Sequence, residues 1–266
     1  MPASEHARGR DGTDTRVRPG RWTLALLSGL GAAFVTGSGI AVATAGGGVD
    51  QLGGPSLAAL RQQLAPSIVD TIAFGGPAGQ EILGTGIILS SSGLVLTDYH
   101  VILDDGYIGV RIGGEGDVYR TAVLVLDEPD DLALLQIEGA GPVKPAALEE
   151  SAAAEIGTPV MAIGNAGGLG VEPSAVPGHL VALDRAIRYG VGGMIVRLGG
   201  LMEARAAIAA GDSGGALVDS RGRVIAVIAA GSGDRPCPPD GTCSLDLAYA
   251  TPIAAALAEV HYPLSG

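Results

Sequence analysis

Ile82–Ile112 reads ILGTGIILSSSGLVLTDYHVILDDGYIGVRI. It holds three apolar runs, Ile82–Leu89, Leu94–Thr97 and Tyr107–Ile112, with Ser91, Ser92 and Gly93 parting the first two. Runs this short, built from Ile, Val and Leu and bounded by turn residues, fit strands of a packed sheet better than long helices. The same grammar continues on either side. Ile68–Ala73 precedes the Gly75-Gly76-Pro77 break, and Val123–Leu126 and Leu132–Ile137 follow. A Pro- and Ala-rich connector, Gly141–Ile156, leads to a second set: Pro159–Ile163, Gly178–Leu183, Met194–Leu198, Ala216–Val218, Val224–Ala229 and Leu247–Ala250. Two groups of about six strands, turning at short intervals, predict an all-β fold of two antiparallel β-barrels rather than alternating β and α units. The first barrel covers about 66–140 and the second about 156–251, with short helices at Ser56–Gln63 and Pro252–Val260.

Composition agrees. The 266 residues are 47% hydrophobic but 3% aromatic, with 44 Gly and 16 Pro, so the core is aliphatic and turns are many. The net charge is −12; residues 1–21 carry five Arg against three acids, a head of +2 that leaves −14 for the rest. A body so acidic excludes nucleic acid, whose phosphates need a basic footprint. Trp22–Ala45 is 24 residues without a charge. As a helix it reaches about 36 Å, enough for a bilayer core. Behind an Arg-rich head it predicts export, with everything after Ala45 facing outward. Two fates fit, a retained single-pass anchor or a signal peptide cut after Ala43-Thr44-Ala45. Residues 46–56 then form a flexible linker, 57–260 the folded domain and 261–266 a tail. The only cysteines, Cys237 and Cys243, flank a Pro-Pro-Asp-Gly-Thr turn on the outer side and are expected to form a disulfide. As metal ligands they would make a poor site, and no metal or organic cofactor is implied.

Gly211-Asp212-Ser213-Gly214-Gly215 sets a serine between glycines, where the backbone can turn sharply and leave amide hydrogens pointing at one spot. A serine attacking a carbonyl needs such preset donors for the oxyanion, and the amides of Gly211 and Ser213 are the expected pair. The hydroxyl also needs a base, and after the apolar segment the chain offers His100, His179 and His261. His100 closes an apolar run that would deliver it to a sheet rim; the other two are expected at the surface. Asp131, directly before Leu132-Ala133-Leu134-Leu135, is the expected carboxylate partner, whereas Asp127, Glu128 and Asp130 read as a solvated loop. That loop lacks calcium-loop spacing, and Gly167, Gly168 and Gly170 lack the Lys-Ser/Thr of a phosphate loop. Activity resting on His100 should rise through about pH 6 to 7.

The segments Gly84-Thr85-Gly86-Ile87-Ile88, Thr97-Asp98-Tyr99-His100-Val101, Asp131-Leu132-Ala133-Leu134-Leu135, Ala162-Ile163-Gly164-Asn165 and Gly211-Asp212-Ser213-Gly214-Gly215-Ala216-Leu217 resemble those of trypsin-like serine peptidases. Among these they are most similar to the Deg-type (high-temperature-requirement) branch. The resemblance implies a cleft between two six-stranded barrels, with His100 and Asp131 from the first and Ser213 from the second. It also implies a specificity pocket floored near Ala207 and walled by Ala229, Ala230 and Gly231, suited to small or medium apolar residues of protein or peptide substrates. Asp212 stands where Deg-type members usually have Asn. In relatives with Asp a buried cation neutralises it, so Arg185, Arg188, Arg197, Arg205 or a new amino terminus is expected beside it. No PDZ domain is expected, and the oligomeric state is left open. Two other functions fit parts of the pattern. An α/β-hydrolase esterase shares G-x-S-x-G but needs its histidine after the serine, which leaves His261. A catalytically silent binding module at the cell surface would need none of the three groups.

Overall fold

The computed structural model describes residues 56–74, 81–103, 106–149, 154–165, 171–191, 193–231 and 246–262. The basic head, the apolar segment 22–45, the linker up to residue 55, the Gly167–Gly170 turn, and Cys237 and Cys243 lie outside them. Among the described residues no helix is long and apolar enough to cross a membrane.

The chain enters through helix α1, Leu57–Leu64, whose first turn is capped by Ser56 Oγ accepting from the Ala59 N–H. Leu60 and Leu64 face inward, and Pro66 in the following 3-10 turn ends the helix. Six strands follow: β1 Ile68–Phe74, β2 Glu81–Ile88, β3 Leu94–Thr97, β4 Tyr107–Ile112, β5 Val118–Asp127 and β6 Leu132–Ile137. They pair in the order β1-β2-β3-β6-β5-β4 and close on themselves, neighbours antiparallel. A second closed barrel, β10-β11-β12-β9-β8-β7, is built from β7 Pro159–Gly164, β8 Ser174–Val191, β9 Met194–Arg205, β10 Ala216–Val218, β11 Val224–Gly231 and β12 Leu247–Pro252. Helix α2, Ile253–Glu259, ends the order.

β8 and β9 depart from expectation. They run 18 and 12 residues, far beyond Gly178–Leu183 and Met194–Leu198. Pro177 pairs with Met161 in regular register ahead of the expected start, and Gly199 and Gly200 lie past the expected end of the second run, inside a ribbon whose register shifts three times between Leu180 and Ile187. Bulges absorb residues that a flat ladder would not tolerate.

Each barrel has its own aliphatic filling, Val69, Ile88, Val95 and Leu135 in the first and Leu180, Ala204, Leu217 and Ile228 in the second. A larger cluster bridges them, with Ile68, Ile87 and Leu132 against Ile163 and Val218 and with Leu257 of α2 sealing one side. β1 is buried on both faces for this reason, one facing its own barrel and one facing the neighbour. The connector is fastened too: Ala146 donates to the Ile88 carbonyl, and Leu148 bridges to Val224.

Candidate active site

His100 lies on a 3-10 turn, Tyr99–Ile102, at the end of buried β3. Asp131 follows a tight turn in which Asp127 Oδ1 accepts from the Asp130 N–H. Its backbone has φ 54°, a left-handed conformation that costs a side-chain-bearing residue about 1 to 2 kcal/mol. His100 holds it there. The Tyr99 N–H donates to the Asp131 carbonyl at 3.1 Å, the His100 N–H to Oδ1 at 2.9 Å, and His100 Nδ1 lies 2.7 Å from Oδ2. An ionised carboxylate can only accept, so Nδ1 carries the proton and Nε2 is left basic. Oδ2 also accepts from the hydroxyl of Tyr189, whose ring meets the imidazole edge-on at 6.0 Å. Asp98 packs beside them, fully buried, with Oδ2 3.9 Å from His100 Nδ1. The nearby amide of Gly214 donates instead to the Ile228 carbonyl at 2.8 Å. Burial first, and the charge of Asp131 second, hold the Asp98 carboxyl well above the usual carboxylate range.

Ser213 comes from the second barrel on a loop pinned by the first. Thr85 of β2 donates its hydroxyl to the Gly211 carbonyl at 2.6 Å and its amide to the Ser213 carbonyl at 2.8 Å. The same hydroxyl accepts from the Asn165 N–H at 2.9 Å. Gly214 has φ 79°, and a Cβ there would lie 2.1 Å from the Thr85 carbonyl oxygen, so this approach requires glycine. With their carbonyls turned toward Thr85, the amides of Gly211 and Ser213 donate to no backbone carbonyl among the described residues.

Asp212 is buried and accepts from the Ala209 N–H at 2.8 Å. Of the arginines expected beside it, Arg185 pairs through Nε with Glu203 Oε2 at 2.7 Å. Arg188, Arg197 and Arg205 are exposed.

His100 and Ser213 line one cleft of about 660 Å³. Gly211, Ala229 and Gly231 share its wall, while Ala230 does not line it and is buried in a cluster with Val196. Ala207, expected at the pocket floor, is exposed and does not line the cleft. The Ile208 N–H reaches back to the Ala206 carbonyl at 3.0 Å, which leaves Ala207 at the apex of a tight turn and brings Ile208, Ala209 and Ala210 to the wall. His179 and His261 are exposed and lie off the cleft, which removes the histidine that an esterase reading requires. Thr85, Asn165, Asp98 and Tyr189 were not singled out from the sequence. The first three sit in quoted motifs, but only the paired fold shows what they touch.

Residues 84–227, more than half of the chain, match the family described as a trypsin-like peptidase domain. The chain belongs to the trypsin-like peptidase family. This trypsin-like chain is 31% identical over 212 residues to the periplasmic pH-dependent serine endoprotease DegQ of Escherichia coli K12, covering 69% of its own length and 45% of DegQ. It is 30% identical over 174 residues to the serine protease PepD of Mycobacterium tuberculosis H37Rv, with 62% and 37% covered. It spans less than half the length of the curated relatives it matches. Its fold is similar to that of the active form of the Rv3671c protease from M. tuberculosis, with a TM-score of 0.60, 23% identity, and 78% of this chain and 86% of that one covered.

Proposed function

We propose that the chain is a serine endopeptidase that hydrolyses peptide bonds of extracytoplasmic proteins through an acyl-enzyme. The observation that carries this reading is the His100–Asp131 pair at 2.7 Å, opening onto the same cleft as Ser213. His100 Nε2 takes the Ser213 proton as Oγ bonds to the scissile carbonyl carbon, and the oxyanion is met by the amides of Gly211 and Ser213. As the C–N bond breaks, the imidazolium returns the proton to the leaving amine; water then repeats the sequence on the ester. An alanine and glycine wall with Ile208 suits small or medium apolar residues before the cut. Work outside the cytoplasm is supported by the uncharged segment 22–45 behind an Arg-rich head, either kept as an anchor or cleaved. It is also supported by kinship to a protease named as periplasmic.

The test is fluorophosphonate labelling and casein cleavage by the full chain in detergent micelles. Ser213→Ala and His100→Ala should abolish both, and His261→Ala neither. Cleavage by wild type should rise through about pH 6 to 7. A folded protein that neither labels nor cleaves would point to a zymogen or a binding module, and dependence on His261 would make it an esterase of another class.

A further inference from the structure

Among the described residues, the cleft wall carries three side chains with polar atoms, His100, Ser213 and Tyr189; the rest are glycine, alanine or larger aliphatics. The hydroxyl of Tyr189 is spent neither on solvent nor on the open cleft. It donates to Asp131 Oδ2, the same oxygen that accepts from His100 Nδ1. The tyrosine is itself buried, on the inward face of a ribbon where Ile187 and Tyr189 point in and Arg188 points out. Its neighbours Gly190 and Val191 line the cleft. One strand of the second barrel therefore both borders the substrate space and reaches across to the carboxylate of the first.

We infer that Tyr189 is a positioning residue for peptide hydrolysis: its hydroxyl fixes Asp131 Oδ2 and, through it, the orientation and basicity of His100. The inference rests on the peptidase reading of the site. A carboxylate buried this deeply needs donors for both oxygens. Oδ1 has the His100 N–H, and Oδ2 is shared between the ring and the phenol. The phenol proton also draws charge away from the oxygen that faces the imidazole. Taking it away leaves a more negative Oδ2, which holds a proton on His100 more tightly. Facing that imidazole are Asp98 from its own segment, Asp131 from the β5–β6 turn and Tyr189 from β8, and no further titratable side chain lines the cleft among the described residues.

The experiment compares wild type with Tyr189→Phe and with 3,5-difluorotyrosine placed at 189, using the full chain in micelles. It reads kcat and KM on an alanine-rich peptide against pH, and follows the His100 imidazole by NMR. Tyr189→Phe should lower kcat about tenfold with KM within about twofold, and raise the His100 midpoint by about half a pH unit. The stronger donor, difluorotyrosine, should move that midpoint down, with kcat near wild type, over the pH range in which fluorine NMR shows its more acidic phenol still protonated. A His100 midpoint unmoved in both proteins, or a loss confined to KM, overturns the inference. If Tyr189→Phe does not fold, the difluorotyrosine midpoint decides alone. If wild type cleaves no peptide, the peptidase reading falls, while the two midpoints still judge the tie from Tyr189 to Asp131 and His100.

Discussion

Asp98 shares the burial of Asp131 without its donors. It sits 3.9 Å from the imidazole, and a second full negative charge there would compete with Asp131 for the proton on Nδ1. Because burial raises its carboxyl in the folded chain while the unfolded chain ionises it near pH 4, folding retains a proton that unfolding releases. The sign follows: stability attributable to this group is highest in acid and falls as pH rises above about 4. Asp98→Asn keeps the shape and removes the titration. The variant should therefore gain in Tm over wild type as scans are taken from pH 4 to 8, a margin absent at the acid end; a constant margin would refute it. The pairing of His100 with Asp131, and the cleft His100 shares with Ser213, were legible because each residue stands in a short context with its own meaning: the rim of an apolar run, the entry to a strand, a glycine-flanked turn. Asp98 and Tyr189 were not, because their significance lies in atoms supplied by distant segments. Ala207 was misplaced because a tight turn rather than residue counting decides which side chain meets the cleft.

β2 delivers Thr85 to the loop of the opposite barrel, where one hydroxyl donates to Gly211 and accepts from Asn165. Thr85→Val keeps the volume and leaves the buried Asn165 N–H and the half-buried Gly211 carbonyl unmet, at about 1 kcal/mol or more each. The expected outcome is a loss of about 2 kcal/mol in urea unfolding together with a fall in kcat of about tenfold or more, both largely restored in Thr85→Ser. The strands themselves were largely readable. Leu94–Thr97, Leu132–Ile137 and Ala216–Val218 match their predicted bounds, since short aliphatic runs with turns at both ends admit few alternatives. β8 and β9 were not, because exposed Arg, Asp and Gly positions break the apolar alternation. That ribbon is held by cross-strand pairing and bulges rather than by a continuous buried face.

The two barrels meet around Asp70, wholly buried on β1. Its cross-strand neighbour Arg111 on β4 approaches Oδ2 at 3.3 Å, and Asn165 from the second barrel donates to Oδ1. Burial raises the Asp70 carboxyl, with the Asn165 hydrogen bond and the Arg111 charge pulling the other way. Arg111→Met leaves that carboxylate with the Asn165 donor but without its cation and should cost about 3 kcal/mol in chemical unfolding near neutral pH. The loss should shrink as pH falls and Asp70 takes up a proton, so a deficit unchanged down to pH 4 would show that the ion pair is not its cause. The crossing bonds of Thr85 also bear on how the molecule is made. Thr85 and Gly211 stand 126 positions apart along the chain, so the serine's loop is held by a segment made long before it. His100 and Ser213 thus face one cleft only once the second barrel has been made.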